Sequence, residues 1–162
     1  MSESVVVSDT SPLQYLHQAG YLHLLPALFG QIVVPPAVVA EIAEGIRRGL
    51  DLPDLASFPW LIQRPPTVPP SFPGSGDLDA GEREAIALAL ELHCRILIDE
   101  RAGRDVARAL GIGRTGTLGV LISAKRAGLI PLVAPLIDRI VHRGYRLNDI
   151  IRADALRLAG EP

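Results

Sequence analysis

Three acidic residues stand where proteins commonly do chemistry. Asp9 follows an apolar, β-branched run at residues 5–7, and the pair Asp99-Glu100 follows a second run at 95–98. Both runs read as strands, and open parallel sheets bind ligands beyond the carboxyl ends of their strands. If the two strands are neighbours, their carboxylates meet at one edge. Clustered carboxylates repel unless a cation lies among them, and an all-oxygen set favours Mg²⁺ or Mn²⁺ over zinc. Taken singly, each acid has a plainer reading as a helix N-cap or as a charge at the positive end of a helix dipole.

Two more acids lie on helical stretches. In the stretch 80–93, Glu84 and Glu91 fall about 20° apart and read as the solvent face. Glu82 lies roughly 180° away from them, on the side of Ala85, Ile86 and Ala89. A carboxylate on that side needs a partner or a metal. The spacing Asp79-x-x-Glu82 is equally that of a capping box, which would keep Glu82 local. Both readings stand on the pattern alone. Glu41 projects off the stripe Val39, Ile42 and Ile46, close to Glu44, and periodicity places it on a solvated face.

Other chemistries lack their parts. His17, His23, His93 and His142 show no metal-ligand spacing, and the single cysteine, Cys94, excludes a disulfide framework or a Cys-based zinc site within one chain. Gly111-Ile112-Gly113 does not follow a strand as a dinucleotide site would, and neither a Walker A pattern nor a Ser-His-Asp motif is present.

The acids must be positioned by a fold, and 162 residues at 48% hydrophobic and 21% charged suit one globular domain spanning 1–162. Strands are expected near 5–7, 32–34 and 95–98. A helix should open at Ser11 as N-cap with Pro12 first inside it, and end near Gly20. A short helix follows near 22–28, then one from Pro36 to about Arg48 closed by Gly49. Further helices are expected at 101–110, 118–127, 132–142 and 149–159. Alternating strands and helices imply an α/β fold around a mostly parallel sheet. Residues 51–78 hold seven of the 14 prolines and read as a long loop or insertion with one strand near 60–63. The first residues lack the basic and apolar regions of a signal peptide, and no apolar run is long enough to span a bilayer. The expected compartment is the cytoplasm.

The net charge of −2 argues against a uniformly basic nucleic-acid binder. It conceals an asymmetry. Residues 1–100 carry 13 acids and 5 bases, and residues 101–162 carry 5 acids and 11 bases. Such a split suits a metal-holding half set against a polyanion-facing half, or plain surface decoration.

Several segments in combination resemble the PIN-domain family: VVSDTSPL at 6–13, VVAEI at 38–42, LDAGEREAIALALEL at 78–92, LIDERAGRDVARALG at 97–111 and TGTLGVLISAKRAGLIP at 115–131. The similarity is closest to the branch of VapC-type toxins and runs from Val6 to about Ala159, with the proline-rich loop matching poorly. The resemblance implies a Rossmann-like three-layer α/β/α sandwich with about five parallel strands. It implies an Mg²⁺- or Mn²⁺-dependent endoribonuclease whose acids are Asp9, Glu41, Glu82 and Asp99, with Glu100 also near the metal. Glu82 and Glu100 are 18 positions apart, the spacing common in that branch. Glu100 departs from its usual Ile-Asp-Asp, which ranks Asp99 ahead as a ligand. Thr10 or Ser11 would support a ligand carboxylate. Arg101, Arg104 and Arg114 would face RNA phosphates. A cognate antitoxin and a homodimer are the implied partners, with no membrane.

Metal-assisted phosphodiester hydrolysis follows from such a site. A PIN-like module that binds RNA or protein with little catalysis is the alternative. A phosphoryl-transfer enzyme using Asp9 as nucleophile is a third reading; it would need a lysine or threonine on a later strand, a part Thr115 could fill, whereas the only lysine, Lys125, lies inside an expected helix.

Overall fold

Val5–Ser8 forms β1, the middle strand of a five-stranded sheet. The structure, a computed structural model, describes residues 4–162. β1 pairs in parallel with β2 (Gln31–Val34) on one side and β4 (Arg95–Leu97) on the other. β3 (Leu61–Gln63) extends the sheet beyond β2, and β5 (Arg114–Thr115) extends it beyond β4. The order is β3-β2-β1-β4-β5, all parallel. Asp9 and Asp99 therefore follow adjacent strands, which meets the condition left open by the sequence.

Alternation along the strands divides the core. Val6, Ile32, Val34 and Leu97 belong to one buried cluster, and Val7, Val33, Ile96 and Ile98 to the other. The first cluster takes in α1 (Thr10–Ala19), α2 (Leu24–Phe29), α6 (Thr117–Arg126) and α7 (Ala134–His142). The second takes in α4 (Ala80–Leu92) and α5 (Arg101–Ala109). α3 (Pro36–Arg47) buries Val38 and Ile42, and α8 (Asp149–Leu158) closes the C-terminal side through Ala155. The result is the expected three-layer α/β/α sandwich.

Three local expectations change. The N-cap of α1 is Asp9, not Ser11, and Pro12 sits two residues deeper in the first turn, where its missing N–H costs no helical bond. β5 spans two residues, too few to leave a periodic signal. Glu84 and Glu91 are not free surface charges: Glu84 accepts the Ala37 N–H at the start of α3, and Glu91 accepts the Thr67 N–H (2.8 Å) and hydroxyl. Glu91 thereby pins part of the proline-rich loop. That loop contains β3 and two short 3-10 turns, Leu55–Ser57 and Ser75–Asp77. Among the described residues no helix is long and apolar enough to cross a membrane.

Candidate metal centre

Four carboxylates gather at the C-terminal edge of the sheet. Asp9 is 4% exposed, and its backbone N–H donates to Leu97 O across the β1–β4 pairing (2.9 Å). Burial drives its carboxyl up to about 8. The neighbouring Thr10 backbone N–H pulls the other way, and the charges of Asp79, Glu82 and Glu41 add to the rise. Thr10 Oγ1 donates to Glu41 Oε2 (3.0 Å) and so ties α3 to the end of β1. Glu41 is also raised, first by burial and then by Asp79, against the Thr10 hydrogen bond.

Gly81 shows how tightly these groups sit. A Cβ there would lie 3.0 Å from Glu41 Oε2, 3.4 Å from Asp9 Oδ1 and 3.5 Å from Asp79 Oδ1. Three carboxylates from three elements thus surround one glycine in the first turn of α4. The two readings of Glu82 are both realised. Asp79 Oδ1 accepts the Glu82 N–H (2.8 Å), and Glu82 Oε1 accepts the Asp79 N–H (3.2 Å), a complete capping box. Yet Glu82 is buried, and its other oxygen, Oε2, has no hydrogen-bond partner. Its carboxyl rises to about 7, chiefly through burial, partly offset by the Asp79 N–H, with the charges of Asp79 and Glu100 acting upward. A Cβ on Gly103 of α5 would lie 2.8 Å from Glu82 Oε2, so this glycine makes room for the carboxylate.

Asp99 and Glu100 part company. Asp99 Oδ1 accepts the Thr117 N–H (2.7 Å) and the Tyr145 hydroxyl (3.0 Å), while Oδ2 accepts Thr117 Oγ1 (2.6 Å). Tyr145 stacks edge-on against Tyr15 at 5.0 Å, and its phenol is pushed far up by burial, with the Asp99 charge and hydrogen bond adding to it. Glu100 is the exposed N-cap of α5 without a side-chain capping bond, and its charge reaches Glu82. Ser11 makes no side-chain hydrogen bond among the described residues, so of the two hydroxyls beside Asp9 only Thr10 supports a carboxylate, that of Glu41.

The three arginines differ. Arg104 donates to Ile98 O (3.0 Å) and stands beside Asp99, for a Cβ on Gly116 would meet Arg104 Nη1 at 2.9 Å and Asp99 Oδ1 at 3.0 Å. Arg114 sits half-buried on β5 and lines the same cavity as Arg104. The Arg101 side chain is 96% exposed, with only a long approach to Asp105 at 4.0 Å. Lys125, the only lysine open to a phosphoryl-transfer site, is bound to Glu161 at 2.9 Å, while Thr115, the other candidate for that part, lies on β5.

Asp79, Thr117 and Tyr145 are parts of this site that the sequence did not single out as such. Asp79 was legible only as a capping residue. Thr117 lies in the Thr-Gly-Thr segment, and Tyr145 carries no local signal at all.

Among the described residues, no three acidic, histidine or cysteine side chains converge as a finished coordination shell. The donor chemistry nevertheless fits a hard divalent cation. Every donor is oxygen, Glu82 Oε2 is buried without a partner, and the crowded carboxyls of Asp9 and Glu82 are held partly protonated where a cation would ionise them.

The comparisons agree with this architecture. The family model DUF3368, described as a PIN domain, matches residues 5–161. Among solved structures, a PilT N-terminus domain protein, SSO1118, from the hyperthermophilic archaeon Sulfolobus solfataricus P2 superposes with a TM-score of 0.56 at 22% identity, covering 74% of this chain and 92% of that one. No curated protein matches. The same sandwich thus recurs in a distant structure, and with the family model extending over nearly its whole length the chain belongs to the PIN-domain family.

Proposed function

We propose that the protein is a divalent-metal-dependent endoribonuclease and the toxin of a toxin–antitoxin pair. One observation carries the metal-dependent reading: a buried, unpartnered Glu82 oxygen lies amid carboxylates beside Asp9, which burial first and those neighbouring charges second push up to about 8. Apolar burial alone would not gather three carboxylates around Gly81 and a fourth, Glu82, beside them. Asp9, Glu41 and Glu82 are the residues that would hold Mg²⁺ or Mn²⁺, with Asp79, Asp99 and Glu100 at its margin. Such an ion supplies an activated water and positive charge for the oxyanions of phosphodiester hydrolysis.

The chain's own residues supply orientation. Thr10 fixes the Glu41 carboxylate by its hydroxyl. Thr117 and Tyr145 hold Asp99 at both oxygens, so its orientation is set before substrate arrives. The Asp79–Glu82 capping box holds Glu82 Oε1 and leaves Oε2 for a ligand. Arg104, on the far side of Asp99, offers a guanidinium to the phosphate. A cognate antitoxin, a homodimeric state and a cytoplasmic setting belong to the same proposal and rest on the similarity to VapC-type toxins.

Labelled RNA incubated with Mg²⁺ or Mn²⁺ should be cut by the wild type and not in EDTA, and Asp9→Asn should lose cleavage. Full activity in that variant rejects the reading. A second reading, a binding module with little catalysis, draws on Asp99 already being satisfied by three donors. It predicts that calorimetry detects no Mg²⁺ or Mn²⁺ binding, whereas a nuclease binds either ion and loses affinity on Glu82→Gln.

A further inference from the structure

α3 begins without a cap of its own. Its N-cap residue, Pro35, has no polar side chain, and Pro36 has no N–H to offer. The amides that follow divide unequally. Val38 N–H and Val39 N–H both donate to Pro35 O, at 3.1 and 3.2 Å. Ala37 N–H instead donates to Glu84 Oε1 on α4, at 3.2 Å. The first turn of α3 is therefore capped from another helix, 47 positions away along the chain.

The clasp is returned one turn further on. Glu41 lies four residues after Ala37, on nearly the same side of α3. Its Oε2 reaches the first turn of α4, where a Cβ on Gly81 would meet it at 3.0 Å. Gly81 in turn lies three residues before Glu84, on one side of α4. Ala37 thus stands opposite Glu84, and Glu41 opposite Gly81, so the two helices meet at two points in antiparallel order. One point alone would let α3 pivot. Two points, about 6 Å apart along α3, fix its rotation and its sliding together. A slide by a single residue, about 1.5 Å, would carry Glu41 away from Asp9 and Gly81. The Thr10 hydroxyl orients the carboxylate at its tip, whereas Glu84 holds the helix that carries it.

We propose that Glu84 is a positioning residue for the metal centre: it fixes the register of α3 against α4 and so delivers Glu41 to Asp9. The assignment rests on the metal-dependent reading for what Glu41 holds. Glu84 acts through α3 alone, with no bond of its own to the ion. Glu91, two turns along α4, holds the loop at Thr67 instead and is the natural control.

Two measurements on the whole chain test this role: Mn²⁺ binding by calorimetry, and hydrogen exchange in EDTA read by mass spectrometry. Glu84→Ala should weaken Mn²⁺ binding roughly tenfold, the lower end of what residues behind a metal's ligands contribute. Glu84→Asp, one methylene too short to reach Ala37, should do the same. Glu84→Gln keeps the acceptor oxygen and should restore most of the affinity. In EDTA the amides of 37–42 should exchange faster in the alanine and aspartate variants and at the wild-type rate in the glutamine variant. Glu91→Ala releases the loop and should change neither readout. Wild-type Mn²⁺ affinity in folded Glu84→Ala and Glu84→Asp overturns the proposal. So does an equal loss of affinity in Glu84→Gln, or in Glu91→Ala, which would mark a general loosening. If the wild type itself binds no Mn²⁺, the metal-dependent reading fails. Faster exchange at 37–42 then still upholds Glu84 as the residue that positions α3, and unchanged exchange overturns that as well.

Discussion

Asp9→Asn should remove activity and at the same time stabilise the metal-free protein. Asp9 titrates near 3.8 in an unfolded chain and near 8 in the folded one. Between those values the folded state binds the extra proton, so stability falls as pH rises. At pH 7 the gap of about three units corresponds to about 4 kcal/mol, at 1.36 kcal/mol per unit. Asparagine is neutral at every pH and escapes this term while keeping an acceptor oxygen. The gain should therefore be small near pH 4, grow through neutrality and level off above pH 8. Glu82, raised from 4.5 to about 7, contributes a slope of the same sign in both proteins. Urea unfolding in EDTA, followed by the fluorescence of Trp60 packed against the core, measures the difference directly. On a chain of this size, 4 kcal/mol would move Tm by on the order of 10 °C. A difference that stays flat from pH 5 to pH 8, or an asparagine variant less stable than wild type at pH 8, refutes the account of Asp9.

Other outcomes follow from the same geometry. Tyr145→Phe keeps the packing on Tyr15 but removes a donor to Asp99 Oδ1, so it should cost about 1–2 kcal/mol in urea unfolding and lower turnover in the RNA assay. Gly103→Ala would bring a Cβ within 2.5 Å of Ile98 Cδ1 and 2.8 Å of Glu82 Oε2, and should destabilise by about 1–3 kcal/mol in the same measurement. Glu161 works at the acid end. Burial raises its carboxyl, but hydrogen bonds from Val133 N–H, Lys125 Nζ and Ala134 N–H bring it below its ordinary value on balance. Its contribution is present above the unfolded value and lost as pH falls through the folded one. Glu161→Gln should therefore lower stability at pH 7 and flatten the acid side of the stability profile.

The sheet was legible because its strands are short β-branched runs bounded by polar or proline residues, as in Val5–Ser8 and Gln31–Val34 before Pro35. α3 was legible from Pro36 at its start and Gly49 just beyond its end, where φ is +84°. Glu82 showed its dual nature in its helical phase and in its spacing from Asp79. Glu41 was harder. Helical periodicity separates a core-facing side from the remainder, but it cannot tell open solvent from a neighbouring carboxylate cluster. Only the family resemblance placed Glu41 with Asp9, and the Thr10 hydroxyl is the contact that makes the placement physical. Tyr145 and Thr117 were out of reach for another reason. They meet Asp99 across 46 and 18 positions of chain, and no local pattern encodes a contact of that kind.

The hydrogen bond from Tyr145 to Asp99 also bears on how the protein is made. Synthesis delivers Asp9, Glu41, Glu82 and Asp99 in turn, and β1 must wait for β4, some ninety residues later, to gain its second neighbour. Tyr145 emerges after all of them, between the last two helices. A nascent chain whose C-terminal helices are still shielded by the ribosome carries the acids but lacks the phenol that fixes Asp99. The hold on Asp99 is therefore completed only once the segment after α7 is free to fold back, well after the last of the four acids has appeared.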